Sequence, residues 1–525
     1  MTPYARAVAS LSRRELLNAA WKLGALAVAQ PLTASRLSAQ AAFSSNPFTL
    51  GVASGDPLPD GVVLWTRLAP EPLQRGGGMP RSRVDVAWEV SPDDTFRRIL
   101  TSGIAAARPE LGHSVHVEVS GLQPGRDYWY RFTAGGAASE TGRTRTAPAA
   151  AAAVDRLRFG VCGCSHYEQG YFTAYRRIAE EAFDFVFHTG DYIYETKAED
   201  GGGRVRRHAS EELFSLDDYR LRYAQYKVDA DLRAAHAASA FVLTHDDHEV
   251  VNDYAGDAAP NDTPSEVFLL RRAAAFQAYY EMLPLRRASL PEGPGARFYR
   301  RLAFGQLLDL HALDTRQYRS DQPCGGGLKA LCAEATQPGR TMLGAAQERW
   351  LFDNLRSAGA RWTVLGQQVP TFRLDRAAVN RNERFAMDKW DGYTAARDRV
   401  YRRLVDSRVP NPVVLSGDVH VHQAADLKLD YDNPRSRTVG VELTNTSITS
   451  GLDGSDVSQT WEKSRSLNPH IAYYSNRRGY IACTATPASL TADFKVLDRV
   501  TVAGAPATLG ASFVVQAGRP GLTPR

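Results

Sequence analysis

The sequence predicts a large α/β body preceded by a small all-β domain. Three observations carry this reading. Six apolar runs end in polar residues of metal-binding or catalytic type. Helical patterns alternate with those runs from Asp155 onward, and the stretch before residue 148 shows only period-two alternation. With 525 residues the chain exceeds one ordinary domain and can bury a large core.

The β region opens near residues 49–68, which contain Ser54-Gly55-Asp56-Pro57 and Val62-Val63-Leu64-Trp65. Runs 84–90 and 114–119 alternate polar and apolar residues, as half-buried strands do. Residues 121–132, with Pro124-Gly125 before Tyr128-Trp129-Tyr130, read as the tyrosine-corner turn of immunoglobulin- and fibronectin-like sandwiches. We therefore expect a sandwich over residues 44–148, with His113 and His116 as strand-surface residues rather than ligands. Ala147-Pro148 and the alanines at 149–153 form a linker. Helical patterns then cover 171–181, 216–230, 267–281, 343–357 and 394–405. The expected catalytic body spans 155–505, and 506–525 is expected as a tail.

The strand ends carry the chemistry. Run 183–187 leads to His188-Thr189-Gly190-Asp191-Tyr192-Ile193-Tyr194-Glu195, and run 157–161 to Cys162-Gly163-Cys164-Ser165-His166. Run 241–244 leads to His245-Asp246-Asp247-His248-Glu249, with Asn252 just beyond. Runs 307–310, 362–365 and 412–415 lead to Asp314-Thr315-Arg316, to Gln367-Gln368 and to Gly417-Asp418-Val419-His420-Val421-His422. An α/β sheet gathers its site outside the carboxyl ends of its strands, so these residues are expected to converge. A carboxylate bridging two cations with unlike ligand sets is a common way to build a phosphoester hydrolase. Asp191 is the natural bridge. Cys164, Tyr194 and His420 suit a transition metal, whereas Asp418, Gln368, Asn252 and Asp246 or Asp247 suit calcium, manganese or magnesium. His248 is placed to contact the scissile phosphate or to protonate a leaving group. His245 and His422 read as supporting or core groups. Zinc sites seldom recruit tyrosine, which disfavours a zinc hydrolase.

The first 41 residues form a separate unit. Arg13-Arg14 precede a weak apolar stretch, and Ala39-Gln40-Ala41 offers a cleavage site, the pattern of a twin-arginine (Tat) export signal. The protein is therefore expected in the periplasm or secreted, with the Tat machinery as a partner and no stable membrane insertion. Net charge is only +5, much of it in this segment, and no long basic patch interleaved with aromatics suggests nucleic-acid binding. Five cysteines leave at least one without an intrachain partner. Cys324 and Cys332 could close a short disulfide loop, Cys164 stands among ligands, and Cys162 and Cys483 could be core thiols.

From about residue 44 to 500 the chain resembles the PhoD-like alkaline phosphatase and phosphodiesterase family, within the metallophosphoesterase group related to purple acid phosphatases. The resembling motifs are Cys164-Ser165, Gly190-Asp191-Tyr192-Ile193-Tyr194-Glu195, Asp246-Asp247-His248-Glu249, Leu313-Asp314-Thr315-Arg316, Trp390-Asp391-Gly392-Tyr393 and Ser416-Gly417-Asp418-Val419-His420. The resemblance implies a metallophosphoesterase-type β-sandwich flanked by helices. It implies one Fe3+ held by Cys164, Asp191, Tyr194 and His420, and one or two Ca2+ sharing Asp191 and taking Asp418 and Asn252. Asp247 competes with Asn252 for that calcium. Family members can place a phosphate-binding arginine after the second tyrosine. Here Lys197 or Arg204 is the available cation. The implied activity is hydrolysis of phosphomonoesters, and of phosphodiesters as a second class, by in-line attack of a metal-activated hydroxide. A phospholipase D-like diesterase of the same fold and an inert wall-binding protein are the alternatives.

Overall fold

Parallel strands buried on both faces need continuous apolar runs, and all six runs form such strands. The computed structural model describes residues 43, 45–199, 201–377 and 384–525. The expected export signal, residues 1–41, lies outside them. Leu157–Cys162, Phe185–His188 and Ala240–Leu243 run parallel in that order, and Val52–Leu58 lies parallel to the last. Leu308–Ala312, Trp362–Gly366, Pro412–Ser416 and Thr438–Thr444 form a second parallel set. The long strand Ile471–Ala485 joins them, pairing with His422–Lys428 at one end and with Leu157–Cys162 at the other.

The two sets face each other across one apolar layer, in which Phe159, Phe187 and Val242 meet Leu310, Val364 and Leu415. Close approach is required there: a Cβ on Gly366 would lie 2.5 Å from the Phe187 ring. Helices Thr173–Glu180, Leu216–Lys227, Ala230–Ala238 and Ser265–Met282 cover the first set, and Gly344–Arg356 and Thr394–Asp406 the second. The layers run helix, sheet, sheet, helix, which is the expected β-sandwich flanked by helices.

The N-terminal region is all β. Thr101–Ala107, Val84–Ser91, Asp127–Ala134 and Ala137–Ala138 pair in order, with Gly142–Arg145 beside Asp127–Ala134. The tyrosine corner is present: Gln123 N donates to Tyr128 Oη at 2.8 Å, and that hydroxyl lies 3.2 Å from Gln123 O. The region is not a detached domain, however. Gly61–Arg67 and Ser114–Val119 pair with each other and, through Val52–Leu58, continue the first parallel set. His116 is therefore not a surface residue. Half-buried, it stacks on Tyr280 of the covering helix with centroids 4.4 Å apart, and His113 is buried.

A second correction falls at the C-terminus. The expected tail 506–525 forms two strands: Ala507–Gln516 pairs antiparallel with Ser489–Leu497, and Arg519–Pro524 pairs antiparallel with Ala507–Gln516. Phe513 and Val515 bury into the inter-sheet core, which explains the pairing. Cys324 and Cys332 form a disulfide, and Cys162, Cys164 and Cys483 are free and buried. No described helix is long and apolar enough to cross a membrane.

Candidate metal centre

The carboxyl ends of the parallel strands meet at one edge, and their loops bond to one another. Cys164 N donates to Gly190 O and Ser165 N to Asp191 O, tying the first two loops together. Gly190 permits the contact with the third: a Cβ there would lie 2.5 Å from the Asp246 Cβ. Glu249 completes the turn by accepting from Asp191 N at 3.1 Å, Tyr192 N at 2.5 Å and Asp246 N at 2.7 Å. Burial lifts the Glu249 carboxyl to about 8 against the pull of those N–H groups.

Four of the expected ligands adopt left-handed backbone, with φ of 58° at Cys164, 54° at Asp191, 67° at Asp418 and 57° at His420. Such conformations cost about 1–3 kcal/mol each in residues other than glycine and concentrate at functional sites. They turn these side chains inward. The Cys164 thiol, an Asp191 carboxylate oxygen and a His420 ring nitrogen lie within 4.8 Å of one another. Tyr194 joins them: its hydroxyl donates to Asp191 Oδ2 at 3.1 Å, lies 3.1 Å from His420 Nε2, and accepts from Ser450 Oγ at 2.6 Å. Tyr192 points away as expected, with its hydroxyl 2.9 Å from His236 Nε2.

This donor set fits a cation. Asp191 Oδ1 is buried with no hydrogen-bond partner, a rare state for a carboxylate oxygen. Burial, with Asp191, Asp418 and Asp246 nearby, pushes the Cys164 thiol up, and burial with Asp191 and Cys164 does the same to the Tyr194 phenol. A cation at their meeting point reverses both shifts, because it stabilises thiolate and phenolate. Burial, with Arg478, His248 and Lys389, holds the His420 imidazole down at about 3, neutral and able to coordinate.

An oxygen-rich group adjoins this one. Asp246, Asp247 and Asp418 bring carboxylate oxygens within 4.8 Å of one another, and Asp247 also gathers with Asp191 and His248. Two cations that sequence reasoning left without a role penetrate the group. The fully buried Arg316 contacts Asp246, Asp388 at 2.8 Å, Asp418 at 2.9 Å and Asp247 at 3.5 Å. Lys389 contacts Asp388 at 2.7 Å and also Asp418. Arg316 stands within a motif the sequence displayed, but Lys389 and Asp388 carried no signal beyond proximity to Trp390-Asp391-Gly392-Tyr393.

His248 Nδ1 donates to Glu195 Oε2 at 2.7 Å, and its ring lies 4.1 Å from that of Tyr194. Burial disfavours its charged form, yet Glu195, Asp191 and Asp247 outweigh burial and hold its pKa well above the ordinary value. Glu195, named in no role by the sequence, is thus its partner.

The remaining expected residues are engaged in other ways. Both ends of the Gln368 amide are spent on a loop: Oε1 accepts from Thr315 N and Oγ1, and Nε2 donates to Leu313 O. It braces the strand ends. Asn252 is exposed and gives its backbone N–H to Glu195. Lys197 is exposed, and Arg204 is engaged by Glu199 and Gly201 O, so neither is held in the carboxylate cluster as Arg316 and Lys389 are. His245 lies behind the cluster on Tyr254 and Asp314, and His422 accepts from Thr446 N in the core.

The chain is similar in sequence and architecture to characterised phosphatases. The profile of PhoD-like phosphatase matches residues 159–494, and that of its N-terminal domain matches residues 33–148. Alkaline phosphatase D of Bacillus subtilis (strain 168) is 47% identical over 520 residues, covering 98% of this chain and 89% of that protein. A solved structure of PhoD superposes with a TM-score of 0.89 at 48% identity, covering 92% of each chain. A purple acid phosphatase from yellow lupin shares the fold, with a TM-score of 0.54 at 11% identity over 89% of this chain and 74% of its own. The chain belongs to the PhoD-like phosphatase family and is a phosphoesterase.

Proposed function

We propose that this phosphoesterase is exported and acts on phosphomonoesters and phosphodiesters through a mixed iron and calcium centre. Ferric iron is assigned to Cys164, Asp191, Tyr194 and His420. Calcium is assigned to Asp191, Asp247 and Asp418, with Asn252 as the further oxygen donor. The carrying observation is the left-handed backbone at Cys164, Asp191, Asp418 and His420, aimed at a buried carboxylate oxygen that has no partner. Thiol, phenol and imidazole together suit a strongly Lewis-acidic transition metal, while carboxylates suit calcium. Bound cations supply Lewis acidity toward the phosphoryl oxygens and an activated water.

The chain's own residues do the rest. His248, kept charged by Glu195, protonates the departing oxygen or contacts the phosphate. Arg316 and Lys389 hold Asp418 in place and already offset part of its charge, which supports a weaker, exchangeable cation in the oxygen-rich group. A phospholipase D-like diesterase would use the same cluster, and no observation favours it over the wider class.

Asp191→Asn tests the centre. Elemental analysis should find both iron and calcium lost together with turnover, since one carboxylate serves both. Wild-type turnover in that variant would remove Asp191 from the centre. Zinc alone in the native protein would reopen the metal assignment. Export is supported by Arg13-Arg14 and the stretch after it. Changing both arginines to lysine should strand activity in the cytoplasm, and normal export of that variant would defeat the Tat reading.

A further inference from the structure

Arg478 lies on Ile471–Ala485, the strand that joins the two sets, and is fully buried. Among the described residues it makes no ion pair. Its fork is spent on neutral oxygens: Nη1 donates to Ser447 Oγ at 2.6 Å and to Ser450 O, and Nη2 to Asn476 O and, at 2.7 Å, to Asn476 Oδ1. Nε has no partner. A buried charge without a counter-charge is costly, so a buried guanidinium is ordinarily paired with carboxylates, as Arg316 is. Burial pulls the Arg478 pKa down to about 10, and Cys164 leads the groups that oppose the pull, with Tyr194 among them. The turn that Arg478 holds reaches the same two residues. Ser450 Oγ donates to the Tyr194 hydroxyl oxygen at 2.6 Å. It also lies 2.9 Å from Cys164 O, but Thr449 N and Ser450 N already donate there. His166 N donates to Ser450 Oγ at 3.3 Å, which leaves the serine proton for Tyr194.

We propose that Arg478 is a positioning residue of the iron site, which supplies a fixed positive charge to the side of Cys164 and Tyr194 and aims Ser450 at the Tyr194 oxygen. The assignment rests on the iron reading above and extends it to two residues outside the ligand set. Charge is the first argument. Ionised Cys164, Asp191 and Tyr194 cancel a trivalent ion and leave a divalent one with one negative charge in excess. A fixed guanidinium near the site therefore favours the divalent state and raises the reduction potential. The same charge is felt at His420, where it follows burial in keeping the imidazole neutral. Geometry is the second argument. The planar fork grips Ser447 Oγ and Ser450 O together, so Ser450 cannot turn from Tyr194 without breaking that hold. Chemistry is the third. A hydrogen bond to a phenolate oxygen is charge-assisted and draws electron density from it. Tyr194 then gives less to the cation, which remains a stronger Lewis acid toward phosphoryl oxygens.

The test uses the iron-loaded enzyme and reads the visible band and the iron reduction potential beside turnover. Arg478→Met and Ser450→Ala should each lower the potential and cut kcat/KM for 4-nitrophenyl phosphate by about 10–100-fold. Ser450→Ala should also move the band to longer wavelength, because a phenolate relieved of its hydrogen bond gives up an electron at lower energy. Arg478→Lys keeps the charge and should hold the potential near the wild-type value, a rescue that a purely structural role does not predict. Arg477→Met removes the partly exposed neighbouring cation paired with Asp456 and should leave band and potential in place. If Arg478→Met does not fold, Ser450→Ala and Arg478→Lys decide. An unmoved band and potential in Ser450→Ala would overturn the role of Arg478. So would a potential in Arg478→Lys as low as in Ser450→Ala, or a fall in Arg477→Met as large as in Arg478→Met. A colourless, iron-free but active wild type would instead overturn the iron reading, and this role with it.

Discussion

Replacing Glu195 by Gln should move the alkaline limb of activity toward acid. The His248 Nδ1 to Glu195 Oε2 bond is 2.7 Å long, and Glu195 Oε1 accepts from Asn252 N at 2.8 Å. An amide keeps the size of this partner and removes its charge. An opposite charge at this range shifts a pKa by about 1–3 units. Unit charges about 4 Å apart at an effective dielectric of about 20 attract by about 4 kcal/mol, which falls near the upper end of that range. The His248 pKa should therefore fall, with Asp191 and Asp247 retaining part of the elevation.

The sign follows from the role. A general acid must be protonated, so activity is present below the His248 pKa and lost as pH rises through it. Lowering that pKa moves the loss to lower pH by the same amount. Stability shifts in the same sense, because the pairing contributes fully below the unfolded value of about 6.5 and is lost as pH rises through the raised folded value. A cation bound beside His248 would act on both proteins alike, so the difference between them is the readout. The assay is kcat/KM against pH for an alkyl phosphate, whose leaving oxygen needs a proton. 4-Nitrophenyl phosphate, whose phenolate departs unaided, is the control. An alkaline limb that stays in place with the alkyl ester, or moves equally with both esters, would refute the assignment of His248 as the acid.

Two further outcomes test the surroundings. If Tyr194 is a phenolate on ferric iron, the native protein should be coloured, and Tyr194→Phe should bleach the visible band and sharply lower turnover. Tyr192→Phe, which loses only the His236 contact, should keep the colour, and a colourless but active wild type would defeat the idea. Arg316→Met should destabilise the protein by about 3–5 kcal/mol, read as a lower urea midpoint, because Asp246 and its neighbours lose a buried counter-charge. An unchanged midpoint would show that the carboxylates do not depend on Arg316.

The local sequence was sufficient for the strands, their polar ends, the five expected helices and the tyrosine corner. Each of these is dictated by periodicity or by residues a few positions apart, and the converging ends followed from the rule that α/β sheets gather ligands at one edge. Cys164, Asp191, Tyr194 and His420 were legible for that reason, as was Tyr192 turned into packing. What the residues themselves could not disclose is everything set by partners far along the chain. Arg316 meets Asp418 across 102 positions and His248 meets Glu195 across 53, so no spacing announces either pair. Gln368 looked like a ligand because it ends a strand, yet only the packed loop shows its amide consumed by Thr315 and Leu313. The strands after residue 506 and the fusion of the N-terminal β region with the first parallel set were likewise decided in three dimensions. Strand pairing depends on which apolar face is left to cover, and that is known only once the rest of the sheet has formed.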